Sequence, residues 1–196
     1  MKQQPIEIAQ GWIEAIRLRI GALPESPDLH DIEALRTRLT AVPWLVGCPS
    51  AESAHFANLP RHYRRHLIAD DPAHNYTALL IAWPQGYRTP LHDHEGLWGI
   101  ELVIEGALAI EEFAKTGTPE DPTLAHERTL ILGIGDATAF AGPGYVHSCR
   151  NLSAHKPALS LHVYGGVLDT YSTFHTHMLG RYTATRLRAN IDSVLV

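Results

Sequence analysis

The segment GYRTPLHDH (residues 86–94) holds two histidines, His92 and His94, separated by one residue. Alternate residues of a β-strand point to the same face, so both imidazoles would reach one metal ion. A single His-x-His pair is weak evidence in a chain with 13 histidines, and a second pair occurs at His175 and His177. The first pair therefore needs support from the residues around it.

A second histidine motif supplies that support. The segment GPGYVHSCRN (residues 142–151) contains a Pro-Gly turn followed by His147 and Asn151. Together the two segments read Gly-x5-His-x-His and Pro-Gly-x2-His-x3-Asn, a combination that resembles the cupin superfamily. The resemblance implies a small β-barrel in which His92, His94 and His147 bind one divalent metal ion.

The pattern of apolar residues also favours a mainly β fold. From about residue 60, short apolar runs alternate with Gly/Pro turns, which is typical of an antiparallel sandwich or barrel. We predict strands at residues 76–83, 99–104, 107–113, 129–132, 137–140, 146–152 and 158–164. With the cupin resemblance, which implies a small β-barrel (jelly roll), we expect the barrel to cover about residues 60–166. Residues 167–196 show no clear pattern and are treated as a C-terminal tail.

The first 45 residues have a helical pattern instead. Apolar residues follow one helical face at Ile6, Ile8, Trp12, Ile13, Ile16 and Ile20. Residues 28–42 repeat the pattern, with Asp28 in position to cap the helix. We expect a single cupin domain, residues 1–196, with these helices packed outside the barrel.

Composition excludes several classes of partner. The net charge is −5 and there is no Lys/Arg run, which argues against nucleic acid or an anionic membrane surface. Two cysteines are too few for a disulfide scaffold, so a reducing cytoplasm is the expected location. No apolar run reaches the roughly 20 residues that a membrane span requires. We expect a monomer or a small homo-oligomer.

The first histidine motif departs from the usual cupin pattern. Cupins carry a glutamate after the second histidine, with three or four residues between them, and those positions here are Trp98 and Gly99. Glu95 and Glu101 flank them and would ligate the metal only if a bulge shifted the register. We favour three neutral imidazoles without a carboxylate. Such a site carries more positive charge than one with a carboxylate ligand and suits an anionic thiolate.

A polar pattern also occurs in SLHVY (residues 160–164). Strand alternation puts Ser160, His162 and Tyr164 on one face, where they would form a hydrogen-bonded chain that ends in a phenol. The alternative is the exposed polar face of an edge strand.

These motifs together resemble the thiol dioxygenases of the cysteine dioxygenase type. That family also has a Tyr-x-Arg-x-Leu segment before the barrel, which YRRHL (residues 63–67) matches, so the resemblance covers about residues 60–166. It implies that Arg65 binds a substrate carboxylate. It also implies that the polar face of residues 160–164 is an outer-sphere relay, with Tyr164 as the active-site phenol.

The motifs disagree about the substrate. Animal cysteine dioxygenases have a cysteine that cross-links to the active-site tyrosine, whereas the matching residue here is Gly99. The Trp98-Gly99 pair resembles the branch that oxidises mercaptopropionate, but that branch usually has glutamine where Arg65 stands. Cysteine, 3-mercaptopropionate and mercaptosuccinate therefore all stay open.

The resemblance implies an Fe(II)-dependent thiol dioxygenase. Its partners would be a small thiol and O2, and both oxygen atoms would end on sulfur as a sulfinate. Two alternatives remain: a cupin metalloenzyme of other chemistry (a lyase, an isomerase or a carbon–carbon-cleaving dioxygenase) and a non-catalytic cupin that binds a small molecule.

Overall fold

The computed structural model describes residues 9–51, 63–71, 73, 75–178 and 180–195. Two helices come first, α1 (Gln10–Ile20) and α2 (Leu29–Leu39), and a 3₁₀ turn follows at Val42–Trp44. Among the described residues the strands are β1 (Arg64–Asp71), β2 (Tyr76–Trp83), β3 (Leu91–His92), β4 (Gly99–Glu105), β5 (Leu108–Gly117), β6 (Pro122–Leu132), β7 (Ala137–Phe140), β8 (Tyr145–Asn151), β9 (Ala158–Tyr164), β10 (Thr170–Met178), β11 (Arg181–Arg188) and β12 (Ser193–Val194). The predicted mainly β class with N-terminal helices is confirmed.

The strands form two six-stranded sheets that face each other. The first sheet has the order β12-β1-β2-β9-β4-β7, and the second has the order β11-β10-β3-β8-β5-β6. The chain crosses from one sheet to the other repeatedly between β3 and β10, as in a jelly roll. One apolar cluster joins the inner faces, with Ile81 and Val103 from the first sheet and Ile110 and Cys149 from the second. The space between the sheets is therefore the interior of the domain.

The helices cover the outer face of the first sheet. The apolar stripe of α1 (Trp12, Ile13, Ile16 and Ile20) is buried in the same cluster as Leu80 and Leu161 of that sheet. The predicted contributions of Ile6 and Ile8 lie outside the described residues. Asp28 caps α2 as predicted, because its Oδ1 accepts a hydrogen bond from the Asp31 amide at 2.9 Å.

Side chains of β9 alternate between these two environments. Leu159, Leu161 and Val163 pack in the outer cluster beneath the helices. Ser160, His162 and Tyr164 point into the space between the sheets, and all three are buried. The strand lies between β2 and β4, so the alternative of an exposed edge strand is wrong.

Some elements were not expected from the sequence. Residues 167–196, treated above as a tail, form β10, β11 and β12, which extend both sheets. The side chains of β11 are almost all exposed, so no apolar alternation marks the strand. No helix of the described residues has the length and apolarity needed to cross a lipid bilayer.

Candidate active site

Three histidines meet on the inner face of the second sheet. His92 of β3 and His147 of β8 are paired residues of neighbouring strands, and their Nε2 atoms lie 3.1 Å apart. The ring of His94 lies 5.1 Å from that of His92 and 4.8 Å from that of His147, measured between centroids. One nitrogen of each ring falls within 4.8 Å of the others, which is the spacing of ligands around a single metal ion.

Strand alternation alone does not position His94. The strand β3 ends at His92, and His94 lies in the loop that follows. Asp93 anchors this loop on the side away from the imidazoles. Its carboxylate forms an ion pair with Lys115 at 2.7 Å and accepts a hydrogen bond from the Ser172 amide at 2.9 Å. Strand β10 therefore helps to hold the loop in place.

The three imidazoles suit a divalent transition metal. Burial lowers the pKa of all three rings, and the pKa values of His94 and His147 fall well below the ordinary value. The rings are therefore neutral, the form that binds metals. The His92 Nδ1 donates to the Pro90 carbonyl at 3.0 Å, which leaves its Nε2 bare. The enclosed Nδ1 of His94 has no hydrogen-bond partner among the described residues.

The facing wall of the interior carries a hydrogen-bonded chain. Trp83 Nε1 donates to Ser160 Oγ at 2.7 Å, and Ser160 Oγ lies 2.8 Å from His162 Nε2. The His162 Nδ1 lies 3.2 Å from the Tyr164 hydroxyl. The Tyr164 ring is 5.3 Å from the His94 ring, so the chain ends beside the histidine cluster. Burial, and then the charge of Glu101, raise the pKa of Tyr164 well above its ordinary value, so this phenol stays protonated at neutral pH.

Arg65 lies at the edge of the same space. Its guanidinium is 6.0 Å from the centre of the Tyr171 ring, which in turn lies 6.0 Å from the His92 ring. The neighbouring Arg64 forms an ion pair with Asp192 at 3.1 Å. The Arg65 guanidinium has no acidic partner among the described residues.

A phenylalanine fills the space beside Gly99. Gly99 of β4 is paired with Tyr164 of β9. A Cβ at position 99 would overlap the ring of Phe140, with two ring carbons at 2.8 Å. That ring stacks on Tyr145 at 4.4 Å and lies 4.7 Å from the His94 ring. Phe140 therefore occupies the position of a cysteine side chain at residue 99.

The two glutamates near the first motif have different surroundings. Glu95 forms an ion pair with Arg186 at 3.2 Å, away from the histidine cluster. Glu101 is buried in the interior, where its Oε1 lies 3.6 Å from His147 Nδ1 and 3.3 Å from His162 Nδ1. A metal site with three imidazole ligands and no carboxylate ligand stays a prediction. Glu101 nevertheless lies close to the histidines, because it follows Gly99 by two residues and faces the same side of β4. That alternation was the signal available in the sequence.

Several aromatic residues of the site were not predicted, Trp83 and Tyr171 among them. Trp83 ends the predicted strand of residues 76–83, and alternation along that strand directs it inward. Tyr171 belongs to β10, where no pattern marked a strand. The spare pair, His175 and His177, is exposed on β10, as expected for surface histidines.

A two-sheet jelly roll with three clustered imidazoles between its sheets is typical of the cupin class of metal-binding proteins. The chain matches the family model of cysteine dioxygenase type I over residues 37–177, and it belongs to that family.

Individual relatives are more distant. Cysteine dioxygenase type 1 of Bos taurus is 25% identical over 125 residues, which are 63% of this chain and 62% of the bovine protein. The TT1209 protein of Thermus thermophilus is 25% identical, with a TM-score of 0.41 over 54% of this chain and 84% of that one. A Cupin_2 domain of an XRE family transcriptional regulator from Enterobacter cloacae is 17% identical, with a TM-score of 0.41 over 53% and 96% of the chains. Neither superposition bears on the reaction.

Proposed function

We propose that the protein is an Fe(II)-dependent thiol dioxygenase that converts a small thiol carboxylate and O2 into a sulfinate. The proposal rests on one observation, which is that the candidate metal ligands, a phenol and a cation all line the same space between the sheets. Three neutral imidazoles line one wall, and the Tyr164 phenol lies on the opposite wall. The Arg65 guanidinium, which has no acidic partner among the described residues, is at the edge. Membership of the cysteine dioxygenase type I family supports the same reaction.

The proposed metal ligands are His92, His94 and His147. Bound Fe(II) would supply coordination positions for the substrate thiolate and for O2. The three neutral ligands add no negative charge to the coordination sphere, which favours binding of an anionic sulfur. Asp93 and Pro90 support this arrangement, since each holds the His92–His94 segment from outside the site.

Arg65 is the proposed carboxylate-binding residue. A guanidinium presents paired N–H donors that match the two oxygens of a carboxylate. With the carboxylate held at Arg65 and the sulfur at the histidine cluster, the substrate has one orientation. Fixing the reacting groups in this way is a main contribution of a protein to a two-substrate reaction.

Tyr164 is the proposed hydrogen-bond donor to the reacting groups. Its raised pKa keeps the proton on the phenol, and His162, Ser160 and Trp83 hold the ring in place from behind. In the overall reaction the O–O bond of O2 breaks, both oxygen atoms form bonds to the thiolate sulfur, and O2 oxidises that sulfur to the sulfinate. No other reductant or oxidant is required.

The test is O2 uptake after anaerobic loading with Fe(II). Cysteine, 3-mercaptopropionate and mercaptosuccinate each contain a carboxylate, whereas cysteamine lacks one and serves as the control. We expect uptake of one O2 per sulfinate formed with one of the three acids, and much slower uptake with cysteamine. Absence of uptake with every thiol, in protein shown to hold iron, would overturn the proposal and favour a cupin of other chemistry.

A further inference from the structure

Glu101 is a buried carboxylate with no role in the reaction proposed above. Only 1% of its surface is exposed. The Cys149 thiol donates to its Oε2 at 3.5 Å, while its Oε1 has no hydrogen bond of good geometry to any described residue. This free oxygen points between two imidazoles, 3.6 Å from His147 Nδ1 and 3.3 Å from His162 Nδ1.

A second carboxylate, that of Glu112, is also buried nearby, but it has a cationic partner. Glu112 is 2% exposed, and its charge is paired with Arg128. It also accepts a hydrogen bond from the Tyr145 hydroxyl at 3.3 Å. Glu101 has no Lys or Arg partner among the described residues. A buried polar oxygen is costly unless it has a hydrogen-bond partner, and the groups within reach of Glu101 Oε1 are the two imidazoles.

We propose that Glu101 is a positioning residue that keeps a proton on the Nδ1 atoms of both His147 and His162, and so couples a metal ligand to the tyrosine relay. The inference rests on the proposed three-histidine metal site. The Oε1 atom of Glu101 faces both Nδ1 atoms and acts as an acceptor, so it favours the Nδ1–H form of each ring. The Nε2 of His147 is then bare on the side of His92.

The rest of the network agrees with these tautomers. Tyr145 donates its only proton to Glu112, so its oxygen accepts from His147 Nδ1, 3.2 Å away. On the relay, a bare His162 Nε2 accepts from the Ser160 hydroxyl, and Ser160 Oγ accepts from Trp83, which can only donate. Each hydrogen bond in these two networks then has a defined donor and a defined acceptor.

The position of Glu101 argues against direct ligation. It faces the Nδ1 edge of His147, whereas the Nε2 edge of that ring faces His92. The two edges lie on opposite sides of the imidazole. A carboxylate on the Nδ1 side orients the ligand and offsets the charge of the metal without occupying a coordination position.

The experiment uses Zn(II) as a diamagnetic probe of the full chain. Long-range ¹H–¹⁵N correlation spectra assign the tautomer of each histidine, and competition with a chromophoric chelator gives the Zn(II) affinity. The variants are Glu101→Leu, which removes the acceptor, and Glu101→Gln, which keeps an acceptor without the charge. Glu105→Gln is the matched control, because this carboxylate lies on the same strand and accepts from the Ala51 amide at 2.6 Å, away from the imidazoles.

We expect Nδ1–H tautomers for His147 and His162 in the wild type. Glu101→Leu should give a mixture of tautomers at His162 and weaken Zn(II) binding by about 10- to 100-fold. Glu101→Gln should retain the tautomers but also bind Zn(II) more weakly, while Glu105→Gln should match the wild type. An Nε2–H tautomer of His162 in the wild type, or wild-type Zn(II) affinity in Glu101→Gln, would overturn the inference. Neither readout involves a thiol or O2, so failure of the proposed reaction is detected separately.

Discussion

Arg64 and Arg65 are adjacent in the sequence but have different partners. Arg64 is paired with Asp192, whereas Arg65 has no acidic partner among the described residues. For Arg65→Gln we expect KM for thiol carboxylates to rise about 10- to 100-fold with little change in kcat, because a charged hydrogen bond contributes about 1.5–3 kcal/mol. Arg64→Gln is the control and should stay within a few-fold of wild type. Steady-state kinetics provide the measurement, and an unchanged KM in Arg65→Gln would exclude its proposed role.

Tyr164 and Tyr76 form a second matched pair of residues. Both are buried, but Tyr76 packs in the outer cluster beneath the helices. We expect Tyr164→Phe to lower kcat by about 10- to 100-fold with a small change in KM. The variant loses the hydrogen bond that the Tyr164 hydroxyl donates to the anionic reacting groups. Tyr76→Phe should leave kcat unchanged. Equal kcat values for the two variants, measured by O2 uptake, would show that the Tyr164 hydroxyl is dispensable.

Among the elements, β4 and β7 are in contact at Gly99 and Phe140, which are paired residues of the two strands. A methyl group at residue 99 would displace the Phe140 ring, which is stacked against His94. We expect Gly99→Ala to lower the free energy of unfolding by about 1–3 kcal/mol and to weaken metal binding. Gly11→Ala, in open space on α1, should be neutral or slightly stabilising.

A second change that makes room for the added methyl group at residue 99 provides a sharper test of the contact with Phe140. Because leucine is smaller and more flexible than phenylalanine, the double variant Gly99→Ala/Phe140→Leu should recover part of the stability lost in Gly99→Ala. Urea unfolding of each single variant and of the double variant measures the coupling. Strict additivity of the two single changes would mean that Phe140 is not the obstacle.

The strands also show which parts of the fold the sequence pattern could predict. The predicted strands at residues 76–83, 137–140 and 158–164 have the bounds that the structure shows for β2, β7 and β9, because burial imposes a clear apolar pattern and turn residues end each run. Strand β11 has almost no buried side chains and was not predicted. For the site, the motif spacing identified the three histidines that the fold brings together, while Tyr171 depends on the pairing of β10 with β3, which is long-range in sequence.

In the whole molecule, the buried imidazoles link stability to pH. Burial lowers the pKa of His66, His92, His94 and His147 in the folded protein, whereas an imidazole in the unfolded chain has a pKa of about 6.5. Below about pH 6.5 the unfolded chain therefore binds more protons than the folded one. The contribution of these groups to stability is complete above that pH and is lost as the pH falls.

For the metal-free protein we expect the free energy of unfolding to fall between about pH 6.5 and 5, by up to about 1.4 kcal/mol per pH unit for each imidazole. Urea titrations of chelator-treated protein at several pH values provide the measurement. Excess Zn(II) at pH 7 should raise stability, by about 2.7 kcal/mol at 100 times the dissociation constant, and this gain should vanish as protons displace the metal. His175→Asn, at an exposed histidine, should leave the profile unchanged. A metal-free protein equally stable at pH 7 and pH 5 would contradict this account, because neutral imidazoles held in the folded interior cannot avoid that cost.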